Sequence, residues 1–152
     1  MKIAISYDHG GYTIKDDIIK TIQDLGHEVK DFGPNSDASV DYPDFIYPCS
    51  KAVANDEYDL GVIICGTGIG ASIVANKVKG IRCALVTSVE VAQLTREHNN
   101  SNILALAGRT TDLETNKKIV EVWLSTPFSD EDRHIKRISK ISDIEKQEGR
   151  QK

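Results

Sequence analysis

The alternation of short apolar runs with helical segments constrains the fold of this chain more than any other feature of its sequence. The run Leu60-Gly61-Val62-Ile63-Ile64 contains no polar side chain, which is typical of a strand covered on both faces. Similar strands are predicted at 2–7, 27–32, 81–86 and 102–107, with helical patterns between them. Parallel neighbours need crossover connections, which helices usually supply. The pattern therefore predicts a doubly wound α/β fold with a five-stranded parallel sheet and helices on both faces.

The length and the charge of the chain limit what it can be. Its 152 residues suffice for one ordinary core, so we expect a single domain over 1–152. This Rossmann-like three-layer sandwich adds a C-terminal helix and a polar end at about 145–152. A net charge of -4 gives no general attraction to nucleic acid or to anionic membranes. Because the sequence has neither a signal-peptide layout nor an apolar run of membrane-spanning length, we expect a cytoplasmic protein.

Residues suited to chemistry follow the predicted strands at the points where they end. Asp8 and His9 follow the first strand, the glycine-rich stretch 65–70 follows the third, and Arg109 follows the last. Ligands of open α/β sheets bind outside the carboxyl ends of the strands. The stretch 65–70 also opens a predicted helix, so free N–H groups and the positive end of the helix dipole meet there. We therefore expect this turn to bind an anion.

Cys65 stands at the head of that turn and allows two interpretations. A cysteine at a strand end is most often a small buried apolar residue. At the N-terminus of a helix, however, a thiolate is favoured and can act as a base or nucleophile. The three cysteines form no C-x-x-C pair, and the four histidines lack ligand spacing, so we expect reduced thiols and no metal site. Taken singly, His9 and His98 are more often structural than catalytic.

Two further patterns leave alternatives open. The spacing Gly66-x-Gly68-x-x-Ala71 fits the loose dinucleotide-binding pattern, but it does not follow the first strand and no acidic residue ends the next one. A nucleotide-binding module is therefore the weaker alternative. Arg133, Arg137 and Lys140 share one face of the terminal helix, either as a solvated basic stripe or as a phosphate clamp.

Several motifs together resemble the type B ribose-5-phosphate isomerases, and the resemblance runs from Lys2 to about Ile144. The motifs are Asp8-His9-Gly10-Gly11, Asp41-Tyr42-Pro43, Cys65-Gly66-Thr67-Gly68-x-Gly70, Ala75-Asn76-Lys77, Gly80-Ile81-Arg82, His98-Asn99, Gly108-Arg109 and Arg133-His134-x-x-Arg137. The family is closely related to galactose-6-phosphate and allose-6-phosphate isomerases, so the resemblance indicates the reaction class better than the sugar. A subgroup has serine at position 65 and glutamate at position 69, whereas this chain resembles the cysteine subgroup.

The resemblance implies a cofactor-free isomerisation of ribose 5-phosphate and ribulose 5-phosphate through a cis-enediolate. Cys65 would be the base, and His98, helped by Asp8, would open the sugar ring. The resemblance places catalytic roles on Cys65, His98, Thr67 and Asp8. It places binding of the sugar-phosphate substrate on His9, Tyr42, Gly66, Gly68, Ile69, Gly70, Asn99, Arg109, Arg133 and Arg137.

The position of His98 suggests that the site is shared between subunits. His98 lies between the end of a predicted helix and the start of a strand, which places it at the amino edge of the sheet, opposite Cys65. It should not reach Cys65 within one chain. We therefore expect a homodimer or tetramer in which a symmetry-related subunit supplies His98 and Asn99.

Overall fold

The computed structural model describes residues 1–149, which form one parallel sheet and its covering helices. The strands are β1 (Lys2–Tyr7), β2 (Glu28–Asp31), β3 (Leu60–Cys65), β4 (Cys83–Leu85) and β5 (Ile103–Ala107). The helices are α1 (His9–Tyr12), α2 (Lys15–Asp24), α3 (Pro43–Ala54), α4 (Ile69–Asn76), α5 (Val89–Asn99), α6 (Leu113–Ser125) and α7 (Asp132–Gly149). The predicted fold class is confirmed: the five strands are all parallel, in the order β2-β1-β3-β5-β4.

Successive side chains of β3 point to opposite faces of the sheet and so contribute to both sides of the core. Val62 and Ile64 pack on the side that α2 and α6 cover, whereas Ile63 and Cys65 pack on the side of α3 and α4. All six residues of β3 are buried, because the strand has a neighbour on each edge and helices on both faces. Trp123 of α6 is fully buried on the same side of the sheet as Val62 and Ile64. The sheet is thus the middle of three layers.

The strand order reverses direction between β1 and β3. The chain moves from β1 to β2 on one side, and then crosses to β3 on the other side of β1. The loops that follow β1 and β3 therefore turn toward opposite faces of the sheet, which leaves a crevice between them. Tyr7 pairs with Ile64 and Cys65 pairs with Ala107, so the ends of β1, β3 and β5 lie level. This crevice is where a ligand of such a sheet binds.

Two predicted boundaries were wrong. Strand β4 has three residues instead of the expected 81–86, since it is an edge strand that pairs only with β5. Helix α5 continues through His98 and Asn99 and ends where Asn100 adopts a left-handed conformation with φ of 45°. Helix α7 extends through Gly149 into the expected polar end at about 145–152, and 150–152 lie outside the described residues. Within residues 1–149, no helix is long and apolar enough to cross a membrane.

Candidate active site

Three glycines allow the loops after β1, β3 and β5 to pack backbone against backbone. A Cβ on Gly108 would lie 2.5 Å from the carbonyl oxygen of Gly10, and a Cβ on Gly10 would lie 2.8 Å from the nitrogen of Gly66. The N–H of Gly108 donates to the carbonyl of Cys65 at 2.8 Å, and that of Arg109 donates to Gly66 at 2.9 Å. The three loops therefore form one continuous surface at the carboxyl edge of the sheet.

Cys65 ends β3 in this surface and is 6% exposed. Gly68 caps α4 with φ of 78°, a conformation that favours glycine. The Thr67 hydroxyl accepts a hydrogen bond from the N–H of Ile69 at 3.3 Å. The first N–H groups of a helix lack intrahelical acceptors and carry the positive end of its dipole. The thiol therefore stands beside a cradle of N–H groups that suits a developing oxyanion.

The other two thiols lie in different surroundings. Burial raises the pKa of Cys49 to about 12, and burial likewise raises the pKa of Cys83 to about 12. Both side chains therefore stay protonated at neutral pH. All three cysteines are free, as the sequence predicts. Of the three, Cys65 alone precedes a glycine turn and a helix N-terminus.

Asp8 and His9 stand beside the glycine junction at the end of β1. Asp8 caps α1, because its Oδ1 accepts a hydrogen bond from the N–H of Gly10 at 2.7 Å. The Nδ1 atom of His9 accepts a hydrogen bond from the N–H of Val40 at 3.3 Å. Since that contact needs a lone pair on Nδ1, the neutral ring carries its hydrogen on Nε2. His9 therefore offers an N–H donor for a phosphate oxygen or a sugar hydroxyl.

Tyr42 and Arg109 lie on either side of the glycine turn. The ring of Tyr42 covers Gly70, so closely that a Cβ there would lie 2.6 Å from the tyrosine Cζ. Arg109 is exposed, and its Cδ lies 3.6 Å from the position of a Cβ on Gly66. These contacts place an aromatic wall and a guanidinium at the same crevice as Cys65.

Asn116 supports this edge, although the sequence predictions missed it. It is fully buried in α6, and its Nδ2 donates to the carbonyls of Ala107 at 3.0 Å and Thr111 at 3.3 Å. It thereby holds both ends of the loop that carries Arg109. The sequence does contain a signal for its burial, because Asn116 lies three residues from Leu113 and three from Ile119, which places it on the apolar face of the helix.

The remaining predicted site residues lie at the opposite edge of the sheet. His98 and Asn99 precede β5, whose first residue Ile103 pairs with Gly61, while Cys65 pairs with the last residue of β5. The strand alone spans about 13 Å over these four steps. The structure therefore brings together a carboxyl-edge group, consisting of Asp8, His9, Tyr42, Cys65, Gly66, Thr67, Gly68, Ile69, Gly70 and Arg109. It separates from them an amino-edge group, consisting of His98, Asn99, Arg133 and Arg137.

Arg82 and Arg96 fix the end of α5, which carries His98 and Asn99. Arg82 donates from Nε to the carbonyl of Asn99 at 3.0 Å and from Nη2 to the carbonyl of Asn100 at 2.9 Å. Arg96 donates from Nη1 to the side-chain oxygen of Asn100 at 3.1 Å. Both guanidiniums lie at the negative end of the α5 dipole, which favours cations.

Within residues 1–149, no cluster of three or more His, Cys, Asp or Glu side chains could hold a metal ion.

Comparisons with known proteins identify relatives over nearly the whole chain. The family model described as Ribose/Galactose Isomerase matches residues 3–141. Ribose-5-phosphate isomerase B of Escherichia coli (strain K12) is 42% identical over 144 residues, covering 95% of this chain and 96% of that protein. The solved ribose-5-phosphate isomerase B of Clostridium thermocellum is 48% identical with a TM-score of 0.93, covering 97% of this chain and 99% of its own.

A second solved relative has a ligand in place. Ribose-5-phosphate isomerase B of Mycoplasma genitalium, solved with bound ribulose-5-phosphate, is 44% identical with a TM-score of 0.90 and covers 95% of this chain and 96% of its own. The fold and these relatives define the class of the protein, which is a sugar-phosphate isomerase. The chain belongs to the ribose/galactose isomerase family.

Proposed function

We propose that this enzyme interconverts ribose 5-phosphate and ribulose 5-phosphate through a cis-enediolate, with Cys65 as the base. The observation that carries the proposal is the position of Cys65 at the head of the α4 cradle, in the crevice between β1 and β3. A relative of 44% identity has been solved with ribulose-5-phosphate bound, which supports the choice of sugar.

The proposed chemistry is a proton transfer between neighbouring carbons of the open-chain sugar. The Cys65 thiolate takes the proton from C2, the C–H electron pair forms the C1=C2 bond, and the carbonyl electrons move onto O1. Return of that proton from Cys65 to C1, together with transfer of the O2 proton to O1, then gives the ketose. The N–H groups at the start of α4 and the Thr67 hydroxyl stabilise the negative oxygen as it forms. One such donor can contribute about 3 kcal/mol in the transition state.

The substrate phosphate supplies binding energy away from the reacting carbons. His9 and Arg109 of the carboxyl-edge group and Arg133 and Arg137 of the amino-edge group are the proposed phosphate ligands. Guanidinium forks match pairs of phosphate oxygens, which also orients the sugar. Asn99 binds sugar hydroxyls, and Tyr42 lines the pocket.

We infer that the working site combines groups from two chains. In this proposal the carboxyl-edge group of one subunit faces the amino-edge group of a symmetry-related subunit in a homodimer or tetramer. His98 of the second chain, with Asp8 of the first, then opens the furanose ring. The separation of the two groups along β5 supports this arrangement, because one chain cannot close it.

The substrate is tested by measuring isomerisation of ribose 5-phosphate, allose 6-phosphate and galactose 6-phosphate. We expect turnover of ribose 5-phosphate, loss of about a thousandfold or more in Cys65→Ala, and little change in the control Cys83→Ala. Preference for a six-carbon sugar would correct the substrate, a possibility that the family description keeps open. An active Cys65→Ala enzyme would remove the proposed base.

Subunit sharing is tested by mixing two inactive variants. Cys65→Ala chains retain an intact amino-edge group, and His98→Asn chains retain an intact carboxyl-edge group. Hybrid dimers therefore contain one complete site, and we expect activity to return toward half of the wild-type value per dimer. If exchange is proven with labelled chains and no activity returns, the site is not shared.

A further inference from the structure

His134 is a buried titratable group that the proposed reaction does not use. It lies in the first turn of α7 and is only 3% exposed. Its Nδ1 atom lies 2.8 Å from the Ser129 hydroxyl and 3.3 Å from the Glu131 carboxylate. Its ring centroid lies 4.4 Å from that of His98, with 37° between the planes. The His134 ring is thus held from one side and contacts His98 on another.

The charges around His134 favour its neutral form. Burial lowers its pKa, and the positive charges of Arg133, His98 and Arg137 lower it further, while the Glu131 carboxylate opposes them. Two imidazoles at 4.4 Å also repel when both are protonated. Because a carboxylate only accepts hydrogen bonds, Glu131 favours the tautomer with the hydrogen on Nδ1. The buried ring of His134 is therefore held uncharged beside His98.

We propose that His134 is a positioning residue for His98: the buried His134 ring packs against the His98 ring and holds it in the orientation needed to protonate a sugar ring oxygen. This inference rests on the proposed function, in which His98 opens the furanose. His134 itself is too buried to meet the substrate. The contact joins α7 to α5 next to Asn99, so it also steadies the helix end that carries His98 and Asn99.

Substrate chemistry gives a test that a merely structural role would not pass. Ribose 5-phosphate is mostly a furanose and must be opened before isomerisation. Ribulose 5-phosphate has its O5 blocked by the phosphate, so it stays open-chain and needs no ring opening. A defect in positioning His98 should therefore make the reaction of ribose 5-phosphate depend on spontaneous ring opening, whereas the reaction of ribulose 5-phosphate needs no opening step. Because the equilibrium constant ties the two kcat/KM values together, the informative measurement is how each initial rate increases with enzyme concentration. Damage to the fold or to the Cys65 cradle would lower both rates at every enzyme concentration.

The experiment measures initial rates over a wide range of enzyme concentration for His134→Ala, His134→Phe and His98→Asn, in both directions. At high enzyme concentration spontaneous ring opening becomes limiting, so any further increase in the rate with ribose 5-phosphate reports ring opening by the enzyme. We expect His134→Ala to lower that slope about tenfold, and the slope with ribulose 5-phosphate less than about twofold. His134→Phe keeps the flat ring and should recover the slope with ribose 5-phosphate to within about threefold of wild type. For His98→Asn the rate with ribose 5-phosphate should level off, while the rate with ribulose 5-phosphate stays proportional to enzyme. Thermal unfolding of each variant reports whether it is folded.

The outcomes separate this inference from the proposed function. Equal losses in both directions for His134→Ala, or no loss, would overturn the positioning role, even if His98→Asn keeps its direction dependence. If His98→Asn slows both directions equally, or the wild type converts neither sugar, the proposed function fails and the inference fails with it. If His134→Ala does not fold, Ser129→Ala replaces it. That variant removes one anchor of the ring and should give a weaker loss confined to ribose 5-phosphate.

Discussion

Replacing Gly108 with alanine tests whether the glycine junction aligns the carboxyl-edge group. The new Cβ would lie 2.5 Å from the carbonyl oxygen of Gly10, whereas ordinary contacts begin at 3.4 Å. The loops after β1 and β5 must therefore separate by about 0.9 Å, since neither atom belongs to a flexible side chain. Overpacking of this kind costs about 1–3 kcal/mol. The displaced loops carry His9 and Arg109, which lie next to the two glycines.

A shift of this size should lower activity as well as stability. Misplacement by 1 Å can lower the rate about a hundredfold, so we expect kcat/KM to fall by about ten- to a hundredfold. The assay is ribose 5-phosphate isomerisation, paired with urea unfolding. Gly26→Ala is a matched control, because Gly26 has φ of 91° and no neighbour within 4 Å of an added Cβ. It should lose about 1–2 kcal/mol and keep its activity. A folded Gly108→Ala enzyme with wild-type kcat/KM would refute the alignment.

Two further predictions concern stability. Asn116→Ala should lower the free energy of unfolding by about 2 kcal/mol, because it leaves the carbonyls of Ala107 and Thr111 without their donor; urea unfolding measures this, and an unchanged midpoint contradicts it. Burial lowers the pKa of His134, so the unfolded chain binds a proton below pH about 6.5 that the folded chain resists. The urea midpoint of the wild type should therefore fall more between pH 8 and pH 5.5 than that of His134→Phe, and equal falls would contradict the shift.

The sheet could be predicted from the sequence because buried parallel strands are continuous apolar runs. The run Leu60–Ile64 and the strand after Asn102 are of this kind, and both lie where they were expected. The edge strand β4 was overestimated because apolar residues at a sheet edge need not pair. Helix α1 was missed because Gly10 and Gly11 disfavour helix, while the cap formed by Asp8 and packing on β3 stabilise this turn.

The candidate site could be predicted in part. Strand ends in a parallel sheet meet at one edge, which is enough to group Asp8, Cys65 and Arg109. The approach of the Gly10, Gly66 and Gly108 backbones could not be predicted, because it depends on distances between loops far apart in sequence.

Helix α7 shows a second limit of pattern-based prediction. Its isoleucines form an apolar stripe, yet Ile135 and Ile141 are 47% and 50% exposed, whereas His134 is buried against α5. Hydrophobic periodicity predicts which face of a helix is apolar, but it does not predict which part of the protein packs against that face. The burial of His134 therefore had no signal in the spacing of its neighbours.

The strand order has a consequence for synthesis of the chain. Strand β5 lies between β3 and β4 but is the last strand to be made, and β4 pairs with no other strand. A nascent chain that ends before residue 103 can therefore form only the β2-β1-β3 part of the sheet. Its open edge would be β3, an entirely apolar strand, and such edges recruit strands from other chains. Emergence of five residues, Ile103–Ala107, both completes the sheet and closes its most aggregation-prone edge.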